Sequence, residues 1–242
     1  MSVRAIKSGA VDFLTKPINH PELLARVRSL LRIKSLYDRL ENANRTLEDR
    51  VREQVEQLGR LSRLKRFFSP QLAELIVAGD AEDPLRSHRR EVTVVFVDLR
   101  GFTAFAETAE PEEVMAILHE YHTELGKLIL SHEATLERFA GDGMMIFFND
   151  PVPVADPAQR AVRLALNMRD CGRALTDRWR RLGHELDLGI GIAQGFATIG
   201  AIGFEGRWDY GAIGTVTNLA ARLCDEAKGG QILVSKRVYA MV

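Results

Sequence analysis

Two aspartates, Asp98 and Asp142, stand where carboxylates could do chemistry. Asp98 ends the apolar run Val95-Phe96-Val97 and opens the short turn Leu99-Arg100-Gly101-Phe102-Thr103. Asp142 lies in Gly141-Asp142-Gly143, between two β-rich runs, a strong hairpin signal. If the two strands are neighbours, both carboxylates meet at one end of a sheet. Such a pair has little reason to be close unless a hard divalent cation lies between them. Mg²⁺ held by one or two carboxylates plus substrate phosphates is the commonest case, which points to a nucleotide. Taken singly, each Asp has an ordinary reading as turn or strand-end chemistry. Downstream, however, Asn218-Leu219-Ala220-Ala221-Arg222 puts an amide and a guanidinium four residues apart on one helical face, opposite an apolar side read from Leu219.

These three separated motifs together resemble the class III adenylyl and guanylyl cyclases, from about Arg89 to the end of the chain. The resemblance implies an internal displacement in which the ribose 3′-oxygen attacks the α-phosphorus and pyrophosphate leaves. It implies two Mg²⁺ or Mn²⁺ ions per site, bridged by Asp98 and Asp142 with the backbone carbonyl of Leu99 as a further ligand. Backbone N–H groups of Arg100, Gly101, Phe102 and Thr103 would cradle the terminal phosphates. Asn218 would orient the ribose, and Arg222 would neutralise charge growing on the α-phosphate. In the family the Asp pair comes from one subunit and the Asn/Arg pair from the other, so the resemblance implies a homodimer. The family's last β-hairpin, with a Lys on the terminal phosphates, would lie beyond Val242.

Base selection departs from the family pattern. Adenylyl cyclases place Lys three residues before the Gly of the Gly-Asp turn, and Asp or Thr three before the Gly that precedes the Asn helix. Here those positions are Arg138 and Gly211. Guanylyl cyclases place Glu at the first position, and Glu137 is one residue away. Adjacent residues of a regular strand face opposite ways, so without a bulge Arg138 faces the base and Glu137 does not. An Arg can donate to adenine N1, yet it also matches the O6 and N7 acceptors of guanine. ATP is the expected substrate, with GTP as the alternative. A Gly-Gly-Asp/Glu-Glu-Phe turn, which a diguanylate cyclase would need, is absent.

The elements that must position these residues read as βαββαβ: strand 91–97, helix 111–131, strands 135–139 and 144–148, helix 157–182 and strand 186–193. Pro111 and Pro157 suit first-turn positions. The order predicts an α+β domain with a ferredoxin-like antiparallel sheet and helices on one face. Glycines crowd residues 183–214, so short, turn-rich strands closely approached by something are expected there. His119 and His122 show no third ligand for zinc, and Trp179 and Trp208 read as packing residues.

Upstream, residues 3–9 read as the end of a helix, 11–15 as a buried strand and 20–31 as an amphipathic helix capped by Asn19. Lys7 to Pro17 resembles the last third of a response-regulator receiver domain. There the Lys at the position of Lys16 contacts the phosphorylated Asp, and the next X-Pro bond is cis. The phosphoacceptor would lie upstream of the segment present, and the full receiver would be served by a histidine kinase. Residues 33–65 form a charged helix with Ile33, Leu36, Leu40, Ala43, Leu47, Val51, Val55, Leu58 and Leu61 at three- and four-residue steps, the seam of a parallel dimeric coiled coil with a stutter. The expected organisation is a receiver fragment at 1–32, a coiled coil at 33–66, a junction helix and linker at 67–90, and a cyclase domain at 91–242. In the junction Ser69 caps a short helix with Pro70 in its first turn.

Composition agrees with a signalling protein. With 242 residues, 46% apolar content and 33 basic against 33 acidic side chains, the chain can bury a core and has no polyanion-seeking excess, so nucleic acid is not an expected partner. No apolar run is long enough to span a membrane and no signal peptide is evident, so a cytoplasmic protein is expected. Cys171 and Cys224, without CxxC spacing, read as reduced, buried thiols. A catalytically silent dimeric regulatory module and a coiled-coil scaffold stand as alternatives; the scaffold leaves Asp98, Asp142, Asn218 and Arg222 unexplained.

Overall fold

The computed structural model describes residues 17, 19–64, 71–73, 85–204 and 207–242. The receiver-like strand, Lys16, Pro70 and most of the junction lie outside them. The chain divides into two units, Met1–Leu64 and Lys65–Val242.

In the first unit, α1 (His20–Leu64) is one helix of 45 residues that runs without interruption through residues 32–33. Straight-chain charged residues favour it, with Glu22–Arg26 at 2.9 Å and Glu41–Arg45 at 2.6 Å as i,i+4 pairs. Its seam residues Ile33, Leu36, Leu40, Leu47, Val51 and Val55 are all exposed. Among the described residues nothing in the unit covers this apolar stripe.

The second unit is built on β1 (His88–Arg100), which is longer at both ends than its apolar run and takes in residues 88–90. After α2 (Phe102–Thr108) and α3 (Pro111–Ser131), β2 (Thr135–Ala140) and β3 (Gly143–Phe148) form the expected hairpin. Then follow α4 (Pro157–Arg181), β4 (Asp187–Phe204), β5 (Arg207–Ile213), α5 (Thr215–Glu226), β6 (Ile232–Val234) and α6 (Lys236–Tyr239). The strand order is β2-β3-β1-β4-β5 with antiparallel pairs, and β6 adds parallel to β4. The first four strands have the expected ferredoxin-like arrangement.

Side chains alternate across the sheet. Val95, Val97, Leu99, Met144, Ile146 and Phe148 face α3 and α4, where Tyr121, Leu125, Ile129, Leu164, Met168 and Trp179 complete one core. Val92, Val94, Met145 and Phe147 face the other way and pack against Tyr210, Ala212, Val216 and Ala220 of β5 and α5. The sheet is thus covered on both faces, not on one as the βαββαβ pattern predicts, because α5 lies downstream of that pattern. Burial on both faces is why β1 reads as a nearly continuous apolar run.

The glycine-rich region also differs from expectation. β4 is 18 residues long, not a short strand. Its glycines do admit close neighbours, which belong to the chain itself. A Cβ on Gly191 would overlap the backbone of Cys224 and Ala220, and one on Gly200 would come within 2.8 Å of Ser87 Cα. Helix α5 therefore rests backbone-to-backbone on β4. Trp179 is buried and donates to Glu120 Oε2 at 2.8 Å, whereas Trp208 is exposed and packs no core in this chain. Cys224 is buried and Cys171 partly so.

Beyond the far end of β3, Asp150 is buried and accepts from His88 Nε2 at 2.7 Å and from the Tyr210 hydroxyl, with Arg90 Nη1 at 3.3 Å. These contacts tie the start of β1 to β5.

Substituting Gly191→Ala forces α5 off β4. It is expected to cost about 2 kcal/mol and to lower the thermal midpoint by about 4–8 °C. An unchanged midpoint in calorimetry would show that α5 does not depend on this close approach.

Candidate active site

Asp98 occupies the last turn of the pleat in β1, opposite Gly189 of β4 and one residue past the Val97–Met144 pair that ends the β1–β3 ladder. Asp142 sits in the β2–β3 turn beside it and accepts from the Leu99 backbone N–H at 3.2 Å. A Cβ on Gly143 would lie 3.5 Å from Asp98 Oδ1, so the turn packs directly on that carboxyl. The two aspartates are brought together as their spacing implied. Burial first, and then the adjacent Asp142, push the Asp98 carboxyl up to about 6 against the opposing charge of Arg100.

Gly101 follows with φ 84° and forms the N-cap of α2. Its left-handed backbone and the Glu185 carbonyl, 2.6 Å from a would-be Cβ, both require glycine. The backbone then turns into α2, whose first N–H groups at Phe102 and Thr103 have no acceptor within the helix. The Arg100 side chain goes elsewhere: its Nη1 is 2.9 Å from Asp98 Oδ2, its Nε donates to the Ala227 carbonyl at 2.9 Å, and its Nη2 donates to the Cys224 carbonyl.

Arg138 and Gly211 are arranged differently from a regular strand. The β2–β3 register shifts between Leu136 and Arg138, which leaves Glu137 as the extra residue of a β-bulge. Glu137 turns inward, its side chain only 6% exposed. Its Oε2 accepts from the Ala212 N–H at 3.3 Å, and a Cβ on Gly211 would meet its Oε1 at 2.9 Å. Burial raises the Glu137 carboxyl, while Arg138 and the Ala212 N–H oppose the rise. Arg138 is 64% exposed, with Nη1 3.7 Å from Glu137 Oε1. The residue that meets Gly211 is therefore Glu137, and no propensity in the sequence marks the bulge.

Asn218 and Arg222 share the outer face of α5 and are exposed. The buried face is Val216, Ala220 and Cys224, and Leu219 is itself exposed rather than marking an apolar inner side. No hydrogen bond or ion pair among the described residues joins Asn218 or Arg222 to Asp98 or Asp142. Within one chain the four chemical positions form two separate groups. His122 packs its ring 4.4 Å from that of Phe139.

A sequence profile described as the adenylate and guanylate cyclase catalytic domain matches residues 86–242. The chain belongs to that family. Adenylate cyclase 1 of Rhizobium meliloti (strain 1021) is 34% identical over 155 residues, 63% of this chain and 23% of that protein. The crystal structure of the adenylyl cyclase CyaB from P. aeruginosa superposes with a TM-score of 0.63 and 36% identity, over 65% of this chain and 82% of that one. A guanylyl cyclase crystal structure gives 0.61 and 36%, over 64% and 79%. The chain spans less than a third of the length of the curated relatives it matches. Equal identity to structures named for different cyclases leaves the purine undecided by likeness.

The cyclase site fits a divalent cation. Its donor set is two hard carboxylates, and burial together with the neighbouring Asp142 keeps Asp98 protonated to an unusually high pH, a penalty on the ionised pair that a cation between them relieves. Tyr121 is fully buried, its hydroxyl without a hydrogen-bond partner among the described residues and held protonated by burial and then by the charge of Asp98 and Asp142. Tyr121 and the side-chain role of Arg100 had no motif to announce them; paired glycines at 189 and 191 were the available signal of close approach.

The titration has a defined sign. The folded domain keeps a proton on Asp98 up to about 6, whereas the unfolded chain releases it near 3.8. The stabilisation is full below 3.8 and is lost as pH rises through about 6. In chelator-treated protein Asp98→Asn is expected to raise the thermal midpoint above pH 6 and to leave it nearly unchanged at pH 4. A midpoint lowered at pH 7.5 would contradict the like-charge clash.

Proposed function

We propose that the protein is a homodimeric nucleotidyl cyclase that converts ATP to cyclic AMP and pyrophosphate, as the output of a phosphorelay-type signalling protein. The Asp98–Asp142 pair, set at the end of the central strand of a cyclase-family domain, carries this reading. Asp98, Asp142 and the Leu99 carbonyl would hold two Mg²⁺ or Mn²⁺ ions, which when bound supply charge neutralisation at the triphosphate and activation of the 3′-hydroxyl. The backbone from Arg100 to Thr103 binds the β- and γ-phosphates. Asn218 and Arg222 of the second copy complete the site: Asn218 orients the ribose and Arg222 stabilises charge on the α-phosphate as its bond to pyrophosphate breaks. Their exposure on α5, without a hydrogen bond or ion pair to the chain's own Asp pair among the described residues, supports sharing between copies.

The exposed seam of α1 supports pairing of this helix with its copy as a coiled coil, since an uncovered stripe of this length is unfavourable in water. Its upstream end would carry the receiver that answers a histidine kinase. Among the described residues no helix is long and apolar enough to cross a membrane, which agrees with a cytoplasmic site of action.

One observation favours GTP instead. Glu137, not Arg138, meets Gly211, and a buried carboxylate there would accept from guanine N1–H and N2–H₂. Incubation with Mg²⁺ or Mn²⁺ and an equimolar mixture of ATP and GTP, with both cyclic products quantified, decides the matter. Cyclic AMP in excess, abolished in Asp98→Ala, is the expected result. Cyclic GMP in excess would establish the Glu137 reading, and no cyclic product with either metal would overturn the enzyme assignment.

A further inference from the structure

Arg100 performs no task that the phosphate-binding backbone explains, yet its guanidinium is held by three separate partners. Even positions of β1 face α5, so Asp98 and Arg100 lie on the same side of the sheet. From there the guanidinium crosses β4 in the space left by Gly189: a Cβ at that position would lie 2.6 Å from Nε and 2.9 Å from Cζ. Three of its donors are used at once, on Asp98 Oδ2, the Ala227 carbonyl and the Cys224 carbonyl. The last two are carbonyls at the C-terminal end of α5, where the helix dipole favours a cation. A planar fork can hold a carboxylate and helix-end carbonyls together; a lysine ammonium cannot match that geometry.

We propose that Arg100 is a positioning residue that fixes the Asp98 carboxylate to the C-terminal end of α5, so that the metal-binding carboxylate and the helix carrying Asn218 and Arg222 move as one body. The inference rests on the cyclase reading for the role of Asp98. Because Asn218 and Arg222 serve the second site of the dimer, a change at one metal site is transmitted through Arg100 to the residues of the other. Gly189 and Gly191 are part of the same device. The first gives passage to the guanidinium and the second lets α5 approach closely enough for its carbonyls to be reached.

The test measures amide hydrogen exchange at the end of α5, residues 222–230, in the full chain with and without Mn²⁺, for the wild type, Arg100→Lys and Asp98→Asn. Mn²⁺ binding is followed in parallel by electron paramagnetic resonance. In the wild type Mn²⁺ is expected to slow exchange at these amides several-fold. Arg100→Lys keeps the charge, so it is expected still to bind Mn²⁺, but the response at α5 disappears and kcat falls by about 10- to 100-fold. Asp98→Asn, which retains an oxygen for Arg100, is expected to keep basal exchange normal while losing the Mn²⁺ response. An Arg100→Lys protein whose α5 amides still respond to Mn²⁺ would overturn the coupling. Mn²⁺ binding equally to the wild type and Asp98→Asn would instead overturn the metal reading beneath it. Misfolding of Arg100→Lys would show as exchange raised throughout the sheet, and an α5 end in the wild type that ignores bound Mn²⁺ refutes the proposal without any variant.

Discussion

The architecture of the catalytic domain depends on holding two carboxylates side by side. Asp98 and Asp142 repel, and the fold keeps them adjacent by fixing each on a different rigid element: the end of the central strand and the tip of a tight hairpin paired to it. A hydrogen bond from the Leu99 N–H, a guanidinium against Asp98 and a proton retained to about pH 6 offset part of the repulsion. The remainder is available to bind a cation. β1 can bear this because it is central, with both faces buried, β4 paired along its whole length and β3 paired with residues 93–97.

The same constraint accounts for the glycines. Reaching Asp98 from α5 requires the helix to lie close on β4 and the Arg100 side chain to pass over it, and Gly191 and Gly189 each remove a Cβ that would block one of these. Gly101 is different in kind, since it needs φ of 84° to turn the chain from β1 into α2 at once. Glycine is therefore used in this domain to bring backbone and guanidinium near the site, more than to make strands short.

The continuous apolar runs of β1 and β3 and the first-turn prolines of α3 and α4 made the core of the fold legible, because run length and punctuation are local properties. The position of Asp98 and Asp142 at strand ends was legible for the same reason, whereas their adjacency rests on the non-local pairing of β1 with β3. What escaped the sequence is non-local. The inward turn of Glu137 follows from a one-residue bulge and from β5 bringing Gly211 and Ala212 to meet its carboxyl, and the burial of the Val216–Ala220–Cys224 face of α5 depends on β4 being long enough to reach beneath it. β6 and α6, with three and four residues, are too short to carry a periodic signal.

In the proposed dimer the Asp pair of one copy works with the Asn/Arg pair of another. Asp98→Ala and Arg222→Ala proteins, each inactive alone, would be mixed under conditions that exchange subunits, with heterodimers verified by native mass spectrometry before cyclic nucleotide is assayed. Recovery of activity in proportion to the heterodimer, each of which rebuilds one intact site, is the predicted result. Verified heterodimers that remain as inactive as their parents would contradict a site divided between two chains.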